Sequence, residues 1–338
     1  MGTTTEALIP TAIDRAYQAA LADTLPSKAV FDELLSLPDR HLPALFAAAS
    51  RLREHSFGRQ VALCGIVNAK SGRCPEDCAF CAQSAHHATG VRSYPLLDDD
   101  ALIAGARQAA ASGAACYGIV TSGSGISGGE ELERICRVIR RIVAEGIVAP
   151  GASLGTLTVP AAAALKAAGL VTYHHNLETA RSFFPAICST HAYDDDVATI
   201  RCAKAAGLRV CCGGLFGLGE SMAQRLELAL TLRELAVDSV PMNFLDPVPG
   251  TPLAAMPPLA PLECLRTIAL FRLVLPTVHI TVCGGRQRNL GELQSWAVLA
   301  GASGLMTGDY LTKSGCDPHD DHRMLQDQGL ILAKEMQR

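Results

Sequence analysis

The segment SGRCPEDCAFCAQSAHH (71–87) places three cysteines, Cys74, Cys78 and Cys81, in a C-x3-C-x2-C array with no fourth cysteine close behind. Thiolates are soft ligands suited to zinc or to iron–sulfur clusters. A structural zinc site needs a fourth donor, which His86 or His87 would supply. A [4Fe–4S] cluster held by three cysteines instead leaves one iron open, able to chelate the amino and carboxylate groups of a small molecule. Spacing alone leaves both readings standing.

The elements that must position this array follow a regular rhythm. Strand-like runs occur at 60–67, 116–122, 147–154, 171–175, 208–214, 238–245, 279–285 and 304–308, separated by amphipathic or alanine-rich helical stretches. Several helices end in glycine (Gly113, Gly146, Gly169, Gly207, Gly301), and acidic runs at 98–101 and 193–196 fall where helix N-termini belong. Eight βα units predict an α/β chain folded as a (β/α)8 TIM-type barrel over 56–310. It carries an N-terminal helical extension (1–55) and a short C-terminal loop and helix (311–338). In such barrels chemistry gathers at the C-terminal ends of the strands, and the cysteine array directly follows the first one.

Composition narrows the function classes. A formal net charge of -4 gives no basic footprint for nucleic acid. The N-terminus lacks a basic segment followed by an apolar core, and no run of 18 apolar residues appears, so a cytoplasmic protein with no membrane span is expected. Thirteen cysteines in a long chain of this kind point to metal or redox chemistry rather than disulfides.

The C-x3-C-x2-C loop after a first barrel strand, with Phe80 between the last two cysteines, resembles the radical S-adenosylmethionine superfamily. Six ordered blocks, NAKSGRCPEDCAFCAQS, YHHNLET, CCGGLFGLGE, SVPMNFLDPVPGTPL, GGRQRNL and GASGLMTGDYLTKSG, resemble the biotin synthase family over roughly residues 55–325. The resemblance implies sulfur insertion into dethiobiotin by 5′-deoxyadenosyl radicals, with S-adenosylmethionine at the open iron of a [4Fe–4S] cluster. It also implies a second, auxiliary iron–sulfur cluster, a low-potential donor such as flavodoxin or ferredoxin, and a homodimer. Carried over residue by residue, Asn176 and Glu178 would contact S-adenosylmethionine ribose and substrate. Asn243 would bond the ureido ring, and Thr312 and Lys313 would lie over the substrate carboxylate. Gly213, Gly214, Gly217 and Gly219 would cradle the methionyl part; on their own they read as a tight strand-to-helix turn.

One departure matters. The family holds its auxiliary [2Fe–2S] cluster with three cysteines and an arginine. Here Cys211 and Arg286 keep two positions, whereas Gly118 and Gly151 stand where the other cysteines belong. Cys116 lies two residues from the first gap and would compensate only if the alignment slips. Extra cysteines stand at Cys64, Cys188, Cys212 and Cys283. Neighbouring strand residues face opposite ways, so only one of Cys211 and Cys212 enters the lumen, and Cys283 and Arg286 both do so only if Gly284–Gly285 forms a bulge. The expectation is a rebuilt ligand set of Cys64, Cys188, Cys211 and Cys283 around a four-iron cluster, with Arg286 as a nearby charge; ordinary buried thiols are the alternative. Cys136, Cys202 and Cys264 read as helix core residues. The rival functions are a related radical maturase or mutase, and a zinc- or cluster-binding protein without radical chemistry.

Overall fold

Eight parallel strands close on themselves: β1 (Gln60–Lys70), β2 (Cys116–Thr121), β3 (Ala149–Ser153), β4 (Thr172–His174), β5 (Arg209–Cys211), β6 (Ser239–Phe244), β7 (His279–Val282) and β8 (Gly304–Met306). Each pairs with the next, and β8 pairs back onto β1 through Ala62 opposite Gly304. The structure is a computed structural model and describes residues 8–126 and 128–334. All eight strands fall on the expected segments, because strands buried on both faces read as short apolar runs bounded by glycine and polar residues.

Helices α1 (Leu8–Leu21), α2 (Lys28–Leu35) and α3 (Leu42–Phe57) precede the barrel, and α4 (Asp99–Ala111), α5 (Gly129–Ala144), α6 (Val159–Ala167), α7 (Tyr193–Ala205), α8 (Met222–Glu234) and α9 (Pro261–Val274) wrap it. Their boundaries follow local chemistry. The Asp98 side chain accepts from Ala101 N at 2.7 Å to cap α4, and Asp194, Asp195 and Asp196 fill the first turn of α7. Gly169 and Gly207, which end the twice-used helix-stop-strand phrase, take φ of 96° and 75°. The N-terminal helices pack on α9. There the fully buried Arg272 donates to the carbonyls of Gly301, Leu275, Pro276 and Val278, binding the floor of the barrel together. Residues 1–7 and 335–338 of the two extensions lie outside the described residues.

Three departures bear on the site. The expected strand at 208–214 breaks into β5 and a short strand, Gly214–Phe216, because Gly213 passes so close to β6 that a Cβ there would meet Pro241 O at 2.0 Å. After β7 the chain does not bulge at Gly284–Gly285. The strand stops at Val282, and Gly285, at φ 73°, turns the chain into the short α10 (Arg286–Leu290), followed by α11 (Trp296–Leu299). Beyond α12 (Pro318–Asp327), a last strand, Ile331–Leu332, adds parallel to Gln60 and Val61. It occupies the stretch of β1 that begins before the pairing with β8, so this edge is covered rather than left open.

Candidate active site

The three-cysteine loop caps the top of the barrel and is tied down by its own backbone. Cys74 N donates to Gln83 O at 3.0 Å, Ala85 N to Cys74 O at 2.7 Å, and Cys81 N to Cys78 O at 2.9 Å. Both candidate zinc histidines are engaged elsewhere: His86 Nε2 meets Pro75 O at 2.9 Å and His87 Nε2 meets Cys78 O at 3.1 Å. Burial raises the thiols of Cys78 and Cys81, and the neighbouring charges of Cys188, Cys81 and Cys74 raise them further, so the three sulfurs share one neighbourhood. They are nevertheless not a single-ion trio. Among the described residues, one group of three ligand-type atoms lies within 4.8 Å of one another, and it is Glu76, Cys188 and His191. Zinc at about 2.3 Å from each sulfur would draw thiolates to roughly 3.8 Å apart. That the three cysteines do not form such a group speaks against a single zinc ion and for the cluster reading.

The Glu76–Cys188–His191 group corrects one expectation. Cys188 is not in the lumen. Its sulfur lies 3.9 Å from that of Cys78, 3.2 Å from His191 Nδ1 and 3.3 Å from Asp77 Oδ1. The loop after β4 folds back over the cysteine loop and latches onto it. Ser189 N donates to Asp77 at 2.9 Å, and His191 sits between Asp196 and Glu76, which hold its imidazolium on up to about 10. These mutual hydrogen bonds account for the trio as a clasp between two loops.

Below the loop, a cavity of about 400 Å³ runs into the barrel. Its upper wall includes Phe80, Ala82, Asn176, Glu178, Asn243, Thr312 and Lys313, and deeper in it is lined by Cys64, Cys116, Cys211 and Cys283. Register explains the four thiols. Cys64 pairs with Cys116 across β1 and β2, their sulfurs 3.0 Å apart, and Cys211 lies opposite His174 on β4. Cys283 follows the end of β7 on the same wall. Cys116, set aside at the sequence level, therefore takes the place expected of Cys188. Cys212 faces the opposite side and is fully buried in the core. Burial pushes the Cys211 thiol up to about 12 and raises Cys283 as well, so these sulfurs ionise only with a metal to compensate.

The polar groups between the two thiol sets are precisely oriented by backbone contacts. Asn176 Oδ1 accepts from Gly213 N at 3.1 Å, and its Nδ2 donates to Glu178 at 3.3 Å. Glu178 occupies φ 62°, which points its carboxyl into the cavity, and burial together with the Asp196 charge pushes it up to about 7. Asn243 accepts from Gly284 N at 3.0 Å and donates to Gly214 O at 3.3 Å. Lys313 is paired with Asp246 at 2.6 Å, so its charge is partly neutralised at the cavity mouth. Thr312 lies beside it.

The glycine motif behaves differently from expectation. None of Gly213, Gly214, Gly217 and Gly219 lines the cavity. Gly213 and Gly214 permit close passage against Pro241 and Glu178, and the amides of Gly217 and Leu218 are already bonded to the Glu220 carboxylate at 2.9 and 2.7 Å. Glu220 is in turn paired with Arg225 at 2.7 Å, so this turn supplies no free anion cradle. Arg286 does not line the cavity but stands close enough behind its wall for its charge to favour the ionised form of Cys283, and its Nε and Nη1 have no hydrogen-bond partner. It is fully buried behind the wall, with Nη2 on Asp321 at 2.8 and 3.0 Å. Cavity-lining residues that the sequence analysis did not single out are His174, Arg209 and Asp246. Cys116 shares a strand face with Gly118 two residues on, a parity signal present in the sequence.

A closed parallel barrel, a three-thiol loop after its first strand and a deep cavity beneath it define the radical S-adenosylmethionine class of barrel enzymes. Residues 69–232 match the Radical SAM superfamily, and residues 241–331 match the Biotin and Thiamin Synthesis associated domain. The chain is 75% identical to the biotin synthase of Trichlorobacter lovleyi over 305 residues, 90% of this chain and 92% of that one. It is 59% identical to that of Geobacter sulfurreducens over 323 residues, 94% and 98% of the two chains. The chain belongs to the biotin synthase family, whose activity is radical S-adenosylmethionine sulfur transfer. Among solved structures, methylornithine synthase superposes with a TM-score of 0.79 at 19% identity, covering 94% of this chain and 97% of that one. HydG, a maturase of the [FeFe]-hydrogenase, does so at 0.77 and 18%, covering 98% and 77%. Those two likenesses show the shared barrel, and family membership decides against a maturase or mutase. Among the described residues, no helix is long and apolar enough to cross a membrane.

Proposed function

We propose that this chain converts dethiobiotin to biotin, with the inserted sulfur drawn from a four-iron auxiliary cluster held by Cys64, Cys116, Cys211 and Cys283. The observation that carries the reading is one cavity lined deep inside by these four thiols and capped by the three-cysteine loop. When bound, the [4Fe–4S] cluster of Cys74, Cys78 and Cys81 supplies the electron that cleaves S-adenosylmethionine, and the auxiliary cluster supplies sulfur.

The chain's own residues position the reactants. Glu178 and Asn176, locked against Gly213 and Gly214, present acceptors for ribose hydroxyls directly below the loop. Asn243 offers an amide toward the middle of the cavity, where a ureido ring would lie. Thr312, with the Lys313–Asp246 pair, closes the mouth over the substrate's carboxylate end. The apolar wall of Ile66, Phe80, Val120 and Leu215 excludes water from the space in which a carbon radical must survive. The electron donor is a low-potential flavodoxin or ferredoxin type, and the functional unit is a homodimer.

The test is anaerobic reconstitution followed by incubation with dethiobiotin, S-adenosylmethionine and a low-potential reductant. Biotin and 5′-deoxyadenosine are quantified together, with iron and sulfide counted per chain. Both products and about eight irons are expected. Deoxyadenosine without biotin would refute the substrate assignment, and about six irons would refute the four-iron cluster.

A further inference from the structure

A second cavity, of about 530 Å³, adjoins the active-site cavity at its mouth. The two share Ala82, Val248, Tyr310, Leu311, Thr312 and Lys313 as wall, so the strap of chain at 310–313 forms most of the partition between an inner chamber and an outer one. The strap is pinned by Asn68 Nδ2, which donates to Leu311 O at 2.8 Å, and by the Lys313–Asp246 pair at 2.6 Å. An outer chamber of this size takes a small organic group, and none of the reactants placed above enters it.

The charges at the partition decide what crosses it. Lys313 Nζ is held by the Asp246 carboxylate and also donates to the carbonyls of Asp246 and Pro247 at 3.2 and 3.3 Å. A free carboxylate arriving there must compete with Asp246 for the lysine and meet the like charge of Asp246 at close range. A neutral amide in the same place does neither. Beyond the strap, the outer chamber offers one charge of each sign besides Lys313. Arg92 lies with its guanidinium over the Tyr94 ring at 5.9 Å, and Asp309 accepts from Gly315 N at 3.4 Å. That pair of charges suits the carboxylate and ammonium of an amino acid.

Resting on the dethiobiotin reading above, we propose that the enzyme also takes dethiobiotin already joined through its carboxyl to an amine, with ε-N-dethiobiotinyl-lysine the best fit. The ureido ring stays at Asn243, and the amide replaces the carboxylate beside Thr312. The amino-acid head then lies in the outer chamber against Arg92 and Asp309. The bonds made and broken are those of sulfur insertion into dethiobiotin itself, at the ureido end, and the amide is neither formed nor cleaved.

The experiment gives the reconstituted full chain either dethiobiotin or ε-N-dethiobiotinyl-lysine, with S-adenosylmethionine and a low-potential reductant, and counts biotin or biotinyl-lysine by mass spectrometry. Wild type is expected to convert both, the conjugate with a kcat/KM within about tenfold of the free acid's. Val91→Trp, which fills the outer chamber, is expected to raise KM for the conjugate roughly tenfold or more and to leave dethiobiotin unchanged. Arg92→Glu, which reverses an exposed charge there, is expected to raise it about fivefold with the same selectivity. No biotin from dethiobiotin would refute the substrate reading and this inference with it. Biotin from dethiobiotin but no product from the conjugate would overturn this inference alone. So would a conjugate converted equally well by wild type and both variants.

Discussion

The two sets of thiols are built on opposite principles. Cys74, Cys78 and Cys81 ride on a loop whose shape comes from its own backbone hydrogen bonds and from a clasp with the loop after β4. Cys64, Cys116 and Cys211 are placed by strand register, with Cys283 just past a strand end. A loop site tolerates an open corner and exchange of a small molecule. A strand site fixes its geometry through the whole barrel and leaves none. On the proposed function, the contrast would separate a renewable cofactor from a stored one by the kind of backbone that holds each.

The largest effect should come from the loop. Cys78→Ala is expected to abolish 5′-deoxyadenosine formation entirely while leaving the lumen's four irons in place, measured by product chromatography and iron analysis. Cys116→Ala should do the reverse: deoxyadenosine persists, biotin is lost, and iron per chain falls by about half. Biotin formation by that variant would break the comparison, because it would mean that the lumen set does not act as a unit. Cys188→Ala sharpens the boundary between the sets. It is expected to keep both iron complements and to lower thermal stability by about 1 kcal/mol, from the loss of one buried thiol's bonds in the clasp.

A smaller effect separates the polar layer between the two sets. Glu178 has its folded ionisation raised from 4.5 to about 7. Its carboxyl favours the fold fully below pH 4.5, and that contribution is lost as pH rises through about 7, where the unfolded chain ionises more readily. Glu178→Gln in the metal-free protein is therefore expected to raise stability at pH 8 by about 2 kcal/mol and to change nothing at pH 4. Equal unfolding curves at both values would show that the cavity solvates the carboxylate.

Much of this was legible from residue order. The eight strands were, because a βα repeat buries each strand on both faces and punctuates it with glycine and charge. The loop triad was, since its spacing is local. What failed was long-range. Cys188 follows β4 by a stretch whose path depends on the latch to Asp77, a contact across 111 residues that no spacing encodes. Cys116 was weighed and set aside because alignment drew attention to Gly118, although both project from the same face of β2. The glycines after β5 looked like an anion cradle until Glu220, three residues past Gly217, proved to fill it from within. Arg286 was read as lumen-facing if a bulge formed; the turn at Gly285 instead sent it toward Asp321, a partner 35 residues away.

The closing seam of the barrel has a consequence for how the enzyme is made. Cys64 lies on the first strand and Cys283 just past the seventh, more than 200 residues apart, and β1 has its neighbours complete only when β8 and the Ile331–Leu332 strand arrive. During synthesis the nascent chain therefore has no closed lumen pocket until β8 and the Ile331–Leu332 strand have been made. On the proposed function, a lumen cluster would be loaded into a barrel already closed, by way of the mouth that Thr312 and Lys313 border.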